Sequence, residues 1–289
     1  MIKEIEKNKI SSSTLYLVAT PIGNLADMSE RAIKTLSEVD FIAAEDTRNS
    51  LRLLNYFGIS KPLVSYYEHN KRERGEEIVA RLLGGESCAL ITDAGTPAIS
   101  DPGEDLVRLC AQSGITVTAI PGACAMVNAL ALSALPTARF VFEGFLPVQK
   151  KPRKERIKEL SVEQRTFILH EAPHKLKGTL AELAEALGGE RKITLCRELT
   201  KLNEEIIRTT LSGACALYEE REPRGEYVLV IEGGTASQCD NGREVTLDEL
   251  RQAVDKKMLS GMKKNEAIRA VAEMYGLTRN EVYSRLIEK

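Results

Sequence analysis

The sequence is poor in several residue types and features, and each absence argues against a particular class of protein. It contains no tryptophan, three histidines and only 5% aromatic residues. No apolar run approaches the roughly 18 to 20 residues that cross a membrane, and the opening stretch MIKEIEKNKISSS lacks the apolar core of a signal peptide. We therefore predict a cytoplasmic protein with no membrane partner.

Cysteine is sparse as well, and its spacing forms no motif. The six cysteines stand singly, without a CxxC pair: Cys88, Cys110, Cys124, Cys196, Cys215 and Cys239. Isolated cysteines of this kind indicate reduced thiols that pack in the interior. Because no metal-ligand spacing is visible among the cysteines, histidines and carboxylates, we predict no metal site.

The net charge is close to zero, since 40 basic residues face 42 acidic ones and give a formal charge of −2. No field of the whole molecule therefore attracts nucleic acid, and contact with RNA or DNA requires a local basic patch. The sequence also lacks a GxGxxG motif and a P-loop lysine. These are the main sequence signals of dinucleotide-binding proteins and of P-loop NTPases, so both classes are disfavoured.

Segments typical of strands alternate with helical patterns along most of the chain, which predicts an α/β fold. We expect strands at Leu15–Ala19, Phe41–Ala44, Leu63–Tyr66, Cys88–Thr92, Thr116–Ile120, Thr166–His170, Lys192–Arg197, Glu205–Thr210 and Tyr227–Glu232. The run ACAMVNALALSAL is apolar nearly all round and predicts a buried helix. We predict two α/β domains, residues 14–138 and 139–234, after an N-terminal extension of residues 1–13.

Residues 235–289 are predicted to form a polar linker and a small domain of short helices that resembles a helix-turn-helix. Two capping boxes mark these helices, Thr246 with Glu249 and Thr278 with Glu281, and Gly276 ends the helix between them. From Asp240 onward the segment has ten basic and nine acidic residues. A packing or dimerisation role therefore remains as open as nucleic-acid binding.

Three loops at predicted strand ends consist mostly of small residues: Thr20–Asn24, Asp93–Pro97 and Pro121–Cys124. The carboxyl edge of a parallel sheet is where ligands bind in α/β folds. Proline contributes no N–H, so these loops do not suit a polyphosphate. They suit a flat, weakly charged ligand such as an adenosine. After the second loop, Asp101, Pro102 and Glu104 predict the cap, first position and capping box of a helix.

Titratable side chains follow the second and third predicted strands at the same edge. Glu45 and Asp46 leave one strand, and His69 follows the next. Carboxylates and histidine at a ligand edge are candidates for proton transfer. The alternative for Glu45 and Asp46 is a helix cap with solvated charges, and a lone histidine such as His69 is more often a surface or packing residue than a catalyst.

A basic run between residues 149 and 158 carries six cations and one carboxylate: Lys150, Lys151, Arg153, Lys154, Arg156 and Lys158, with Glu155. Such a run predicts phosphate contacts, of which Lys151, Arg153 and Lys154 are our candidates. A solvated helix face is the alternative.

A series of motifs resembles one known family. LYLVATPIGNLADMSERA, AAEDTR, TDAGTPAISDPG, IPGACA, FEGFLP, HEAPHKL, RELTKLNEE and GEYVLVIEG occur in this order over residues 14–234. They resemble the ribosomal small-subunit RNA 2′-O-methyltransferases of the tetrapyrrole methylase superfamily. Where this family is expected to have Tyr-Glu-x-Pro-His-Arg, the chain has His170 and Lys175 in place of the aromatic residue and the arginine.

The resemblance implies two α/β domains with S-adenosylmethionine in the cleft between them, a small C-terminal helical domain, and a homodimer. It implies methyl transfer to the ribose 2′-hydroxyl of a cytidine in the decoding region of small-subunit (16S) rRNA, free or in the ribosomal subunit. The cofactor residues that follow are Pro21, Gly23, Asp93, Gly95, Thr96, Ile99, Cys124, Ala125 and His170. Asp46 is the first candidate for the general base, followed by Glu45, His69 and Glu198, and Arg48 is a candidate phosphate contact.

Two alternatives stay open. A methylase of small tetrapyrroles would use the same cofactor cleft, although a macrocycle does not need six nearby cations. A nucleic-acid-binding protein with a catalytically silent core would use the C-terminal helices, although phosphate binding needs an excess of basic residues.

Overall fold

The computed structural model describes residues 9–99, 101–234, 247–259, 262–275 and 277–287. Its first sheet is entirely parallel, with strand order β3-β2-β4-β1-β5. The strands are β1 (Thr14–Val18), β2 (Phe41–Ala44), β3 (Leu63–Ser65), β4 (Cys88–Ile91) and β5 (Thr116–Ile120). The sequence prediction of each is therefore confirmed to within a residue.

Crossover helices cover both faces of this sheet, as parallel pairing requires. They are α1 (Glu30–Glu38), α2 (Thr47–Tyr56), α3 (Lys71–Leu83) and α4 (Gly103–Gln112). A short 3₁₀ helix (Leu25–Asp27) precedes α1, and α5 (Ala125–Leu132) follows β5. The central strands β2 and β4 are buried along their whole length. All these strands run in one direction, so their carboxyl ends share one edge of the sheet.

The second sheet is mixed, with strand order β6-β7-β10-β8-β9 and only β6 and β7 parallel. Its strands are β6 (Phe140–Phe145), β7 (Thr166–Glu171), β8 (Lys192–Arg197), β9 (Glu205–Thr210) and β10 (Tyr227–Ile231). The helices α6 (Lys150–Ser161), α7 (Pro173–Leu187) and α8 (Leu211–Glu220) belong to this half. The boundaries at residues 139 and 235 remain our proposal.

Helix α5 joins the two halves, because its buried residues pack on the second sheet. Ala129 and Leu130 share an apolar cluster with Ile168 of β7 and Val230 of β10. The prediction that this helix is buried all round is wrong. Val127 remains 49% exposed and Leu132 37%. One apolar face of α5 therefore contacts protein, while the other faces outward in the single chain.

The C-terminal helices α9 (Leu247–Leu259), α10 (Lys264–Met274) and α11 (Arg279–Ile287) pack around Val254, Ile268 and Val271. The capping box at Thr278 is confirmed, because its N–H donates to Glu281 Oε2 at 2.6 Å. The linker, Cys239, Thr246 and Gly276 lie outside the described residues. No helix of the described part is long and apolar enough to cross a membrane.

Candidate active site

The loops after β1 and β4 are fastened to each other at the carboxyl edge of the first sheet. The N–H of Thr20 donates to the carbonyl of Gly95 at 2.9 Å, and the N–H of Gly95 donates to that of Thr20 at 3.1 Å. The Thr20 hydroxyl also donates to the carbonyl of Thr92 at 3.1 Å. Two of the small-residue loops therefore form one unit, and their positions depend on each other.

The loop between β4 and α4 follows a backbone path with two left-handed residues, Gly95 at φ +85° and Ala98 at φ +68°. Asp101 Oδ1 stabilises it by accepting from the N–H groups of Ala98 at 2.9 Å and Gly103 at 2.7 Å. The predicted capping box is wrong, because α4 begins at Gly103 and Pro102, rather than Asp101, occupies the N-cap position. Glu104 pairs with Arg108, which lies one turn ahead on the exposed face of α4.

A cavity of about 560 Å³ lies between the two halves of the chain, and we call it the interdomain cleft. The first half contributes the side chains of Ile22, Ala94 and Ala125. The second half contributes residues of β6, β7, β8 and β10 with their following loops, among them Phe145, His170, Pro173, Cys196, Leu199 and Val228. The volume lies within the range of small-molecule sites, and the lining is mainly apolar, as such sites are.

His170 is a polar residue of the cleft whose ring nitrogen is buried without an internal partner. Its Nε2 is buried and makes no hydrogen bond within the described chain. The ring is held edge-on by Phe142 and Phe145, with centroids 5.2 and 5.6 Å away. Burial lowers the pKa of this imidazole, which therefore favours its neutral form. A buried nitrogen without a partner in a cavity fits a ligand that supplies the missing hydrogen bond.

The loop after β8 closes another side of the cleft and is strained. Glu198 and Thr200 both have left-handed φ values, +51° and +67°, on either side of Leu199. Such conformations in residues other than glycine cost about 1 to 3 kcal/mol and concentrate at functional sites. A Cβ at Gly23 would lie 2.4 Å from Lys201 Cγ, so the loop after β1 contacts this loop closely.

A second, smaller pocket of about 350 Å³ lies on the first half alone, and we call it the α2 pocket. One face of α2 forms its side, through Asn49, Arg52, Leu53 and Tyr56 at helical spacing. The loops after β1 and β4 complete it with Pro21, Gly23, Leu25, Thr92 and Asp93.

The predicted cofactor residues do not all line the same cavity. Ala125 and His170 line the interdomain cleft, whereas Pro21, Gly23 and Asp93 line the α2 pocket. The remaining four line neither cavity: Gly95, Thr96, Ile99 and Cys124. Gly95 and Thr96 instead hold the loop in place, the latter by donating its hydroxyl to the carbonyl of Ala123 at 3.2 Å.

Sequence reasoning missed several residues of the cleft. Ile22 and Ala94 are immediate neighbours of predicted residues, but the sequence does not tell which member of a pair turns toward the cavity. Leu199, Val228 and Phe145 belong to the second half, for which the sequence analysis predicts no loop of small residues. The strained φ values around Leu199 are a signal that exists only in the folded chain.

Asp46, the first candidate for the general base, is engaged as a helix cap. Its Oδ1 accepts from the N–H of Arg48 at 2.9 Å, and its Oδ2 pairs with the Arg48 guanidinium at 2.8 Å. These contacts lower the pKa of the Asp46 carboxyl to about 2. A carboxylate that binds a proton so weakly is a poor base at neutral pH, because efficient bases have pKa values near the working pH.

The other candidates differ in position. Glu45 Oε2 accepts from the Thr92 hydroxyl at 2.9 Å; Thr92 lines the α2 pocket, whereas Glu45 lines neither cavity. His69 is exposed in the turn before α3, beside Tyr67, and lines neither cavity.

Glu198 is bound to Lys201 Nζ at 2.9 Å. Burial alone would raise the pKa of its carboxyl. The hydrogen bonds from Lys201 and from the N–H of Glu226 outweigh that effect and lower the pKa.

The basic run forms the first two turns of α6, and its residues have different surroundings. Arg153 is tied inward, donating to Glu182 at 2.6 Å and to the Thr179 hydroxyl at 2.7 Å. This arginine is engaged within the protein, contrary to the prediction of a phosphate contact. Lys151 and Lys154 are exposed, and only these two of the three candidates remain available to an RNA.

Comparison with known proteins agrees with this architecture. Residues 14–215 match the family model of the Tetrapyrrole (Corrin/Porphyrin) Methylases. The chain therefore belongs to the tetrapyrrole methylase family and is a methyltransferase, as the resemblance of its motifs implied.

Three individual proteins show how similar the chain is to known methyltransferases. The chain is 48% identical to the Ribosomal RNA small subunit methyltransferase I of Synechocystis, over 95% of this chain and 97% of that protein. Among solved structures it is similar to the cobalt precorrin-4 methyltransferase of cobalamin biosynthesis, with a TM-score of 0.58 at 16% identity over 76% of this chain and 95% of that one. It is also similar to a uroporphyrin-III C-methyltransferase from Thermus thermophilus complexed with S-adenyl homocysteine, with a TM-score of 0.52 at 16% identity over 76% and 97% of the two chains.

Proposed function

We propose that this protein transfers the methyl group of S-adenosylmethionine to the ribose 2′-hydroxyl of a cytidine in the decoding region of small-subunit rRNA. The observation that carries the proposal is the interdomain cleft, an apolar cavity with one buried, unpartnered imidazole nitrogen. The small-subunit rRNA substrate is suggested by the name of the relative at 48% identity.

The residues of the cleft suit the methyl donor. Ile22, Ala94, Ala125 and Leu199 offer an apolar surface, and the neutral imidazole of His170 offers Nε2 to a polar atom. When bound, S-adenosylmethionine supplies a methyl group on a sulfonium sulfur, which keeps the electron pair of the broken S–CH₃ bond. The protein contributes alignment, which supplies much of the rate of an in-line displacement.

On the RNA side we propose contacts from three exposed cations. Lys151 and Lys154 stand on α6, and the Arg48 side chain at the start of α2 is 85% exposed although it pairs with Asp46. We place the reaction in the cytoplasm, where small subunits are assembled, with either the free rRNA or the subunit as partner.

We further propose a homodimer. The outward face of α5 carries Val127 and Leu132, and the neighbouring start of the second half exposes Phe140 at 40%. Apolar side chains grouped on a face are typical of a protein interface.

The decisive experiment is methylation of unmodified small subunits by the purified protein, followed by nuclease digestion and mass spectrometry of the nucleosides. The expected product is a 2′-O-methylated cytidine. A parallel reaction offers a tetrapyrrole as the acceptor, and methylation of the tetrapyrrole without methylation of the rRNA would support the first alternative. Calorimetry tests the second alternative, because a catalytically silent core would not bind S-adenosylmethionine.

A further inference from the structure

The residues that line the interdomain cleft divide by exposure into a floor and a mouth. The floor consists of lining residues that are buried: Glu171, Cys196, Leu199, Tyr227 and Val228. The mouth consists of lining residues that are exposed: Ala94, Phe145, His174 and Glu226. A methyl donor bound against the floor and an acceptor bound at the mouth therefore share one cavity, and no wall separates them.

Phe145 places an aromatic ring at the mouth. Its side chain is 61% exposed, although the ring contacts that of His170. The exposed Lys151 and Lys154 follow along the chain on α6. Aromatic rings are the groups on which proteins stack single unpaired bases, and lysines contact the neighbouring phosphates. The mouth therefore has a group that can hold one nucleotide of an RNA.

Two carboxylates belong to the described lining of the cleft, and both are engaged within the protein. Glu171 accepts two hydrogen bonds, at Oε1 from the N–H of Ala172 at 2.9 Å and at Oε2 from the Thr179 hydroxyl at 2.5 Å. Glu226 Oε2 pairs with Lys201 Nζ at 2.9 Å. Neither carboxylate is therefore the best placed group to receive a proton from a substrate.

Three further lining residues can exchange a proton, but their surroundings do not suit a base. Burial raises the pKa of the Cys196 thiol to about 12. The Tyr227 hydroxyl lies in the core, where it accepts from the Tyr218 hydroxyl at 3.3 Å. Burial lowers the pKa of the His170 imidazole, which makes it a weaker base, and its Nε2 is the proposed partner of the methyl donor.

His174 is different from these groups, because its side chain is both exposed and uncommitted. It lies in the first turn of α7, directly after Pro173, and lines the mouth. Its imidazole forms no hydrogen bond, ion pair or ring contact with any residue of the described ranges. Histidine is the side chain that most often acts as a general base, since it exchanges protons near neutral pH.

We propose that the acceptor nucleotide binds at the mouth of the interdomain cleft, with its base on Phe145, and that His174 is the general base for its ribose 2′-hydroxyl. This inference rests on the function proposed above. The 2′ proton passes to an imidazole nitrogen of His174 while the oxygen lone pair forms the new O–CH₃ bond. The electron pair of the broken S–CH₃ bond stays with the donor sulfur.

The test is single-turnover methylation of unmodified small subunits, together with filter binding for the RNA and calorimetry for S-adenosylmethionine. His174→Gln is expected to lower the methylation rate roughly 10²- to 10⁴-fold, the usual contribution of a positioned base. Both affinities should stay within about twofold of wild type, because a base acts in the chemical step. His69→Gln is the matched control and should keep the wild-type rate, since His69 is an exposed histidine that lines neither cavity.

Chemical rescue distinguishes a base from a residue that only shapes the mouth. His174→Ala removes the imidazole and leaves space for a free one, so imidazole added to the reaction should restore part of the lost rate. A side chain needed only for packing would not be replaced in this way. The rate of the His69→Gln control should not respond to imidazole.

Phe145→Ala is expected to weaken RNA binding roughly 5- to 150-fold, the effect of removing one base–aromatic stack. Phe145→Tyr keeps the ring and should bind RNA as the wild type does. Tyr56→Ala is the matched control, since Tyr56 is 66% exposed and does not line the cleft.

The outcomes separate the two proposals. Wild-type protein that transfers no methyl group to the RNA overturns the proposed function and this inference with it. Active wild-type protein overturns the inference alone if His174→Gln is near-normal, if its loss follows a loss of affinity, or if imidazole does not rescue His174→Ala. Equal RNA affinities of Phe145→Ala and Tyr56→Ala would remove the nucleotide from the mouth.

Discussion

Thr20 and Gly95 exchange two backbone hydrogen bonds, at 2.9 and 3.1 Å, although they are 75 residues apart in the chain. Each residue lies within two positions of the residue of its loop that lines the interdomain cleft, Ile22 or Ala94. The Thr20 hydroxyl adds a third hydrogen bond, to the carbonyl of Thr92. We therefore expect a change in the backbone of one loop to displace the other.

Substitution of Gly95 should consequently affect the cofactor site. Gly95→Ala places a side chain at φ +85°, and the new Cβ would lie 3.3 Å from Ile22 Cγ2. The left-handed backbone costs about 1 to 2 kcal/mol, and Ile22 has to move within the cleft. We expect calorimetry to show at least a tenfold loss of S-adenosylmethionine affinity in a protein that still unfolds cooperatively.

Gly188→Ala is the matched control for Gly95→Ala. Its φ of +89° imposes similar strain, but no atom lies within 4 Å of the added Cβ. It should lose stability without losing cofactor affinity. Equal cofactor affinities of the two variants would show that strain alone, rather than the shift of Ile22, determines the result.

His170 should make the stability of the protein depend on pH. Burial lowers the pKa of the folded imidazole below its ordinary value of 6.5, an effect that Glu226 opposes. As the pH falls below about 6.5, the unfolded chain binds the proton first, so the stability present above that pH is lost. Denaturant unfolding at pH 7.5 and 5.5 should show a smaller loss for His170→Phe than for wild type. Identical losses would contradict this role of His170.

Removal of the exposed lysines of α6 should weaken RNA binding without affecting the fold. Lys151→Ala with Lys154→Ala deletes two proposed phosphate contacts, so the slope of log affinity against log salt should fall by roughly 1.4 to 1.8. Filter binding over a range of salt concentrations measures this slope. An unchanged slope would make the two lysines an ordinary solvated surface.

Arg153→Ala should behave differently from the lysine variants. It removes the donor to Glu182 and leaves the hydroxyl of the fully buried Thr179 with one fewer partner. The expected result is a loss of about 1 to 3 kcal/mol in the free energy of unfolding, with the salt slope of RNA binding unchanged. A lowered slope with full stability would restore Arg153 as a phosphate contact.

The outward face of α5 should determine the oligomeric state. Val127 is half exposed in the single chain, and Val127→Lys would place a charge in the interface that we propose. Light scattering after gel filtration should give a dimer for wild type and a monomer for the variant. A dimer in both would locate the interface elsewhere, and Leu83→Lys, on the exposed side of α3, is the matched control.

Much of the fold followed from local patterns. The strands of the first sheet were predicted to within a residue because their apolar runs are too short for helices and alternate with helical patterns, as in βαβ units. The capping box of Thr278 and Glu281 was predicted because its two members lie three positions apart on one turn. The small-residue loops were placed at the ligand edge by the parallel order of the strands.

The sequence by itself determined the alternation of strands and helices, the position of the loops and the family, because these depend on neighbours along the chain. Only the tertiary structure decided which side chains line a cavity. Asp93 and Ala94 are consecutive, yet they line different cavities. Arg153 and Lys154 are consecutive too, yet only Arg153 meets Glu182, which lies 29 residues away. The direction of a loop side chain and the partner of a charge are set by residues distant in sequence, and no local pattern contains them.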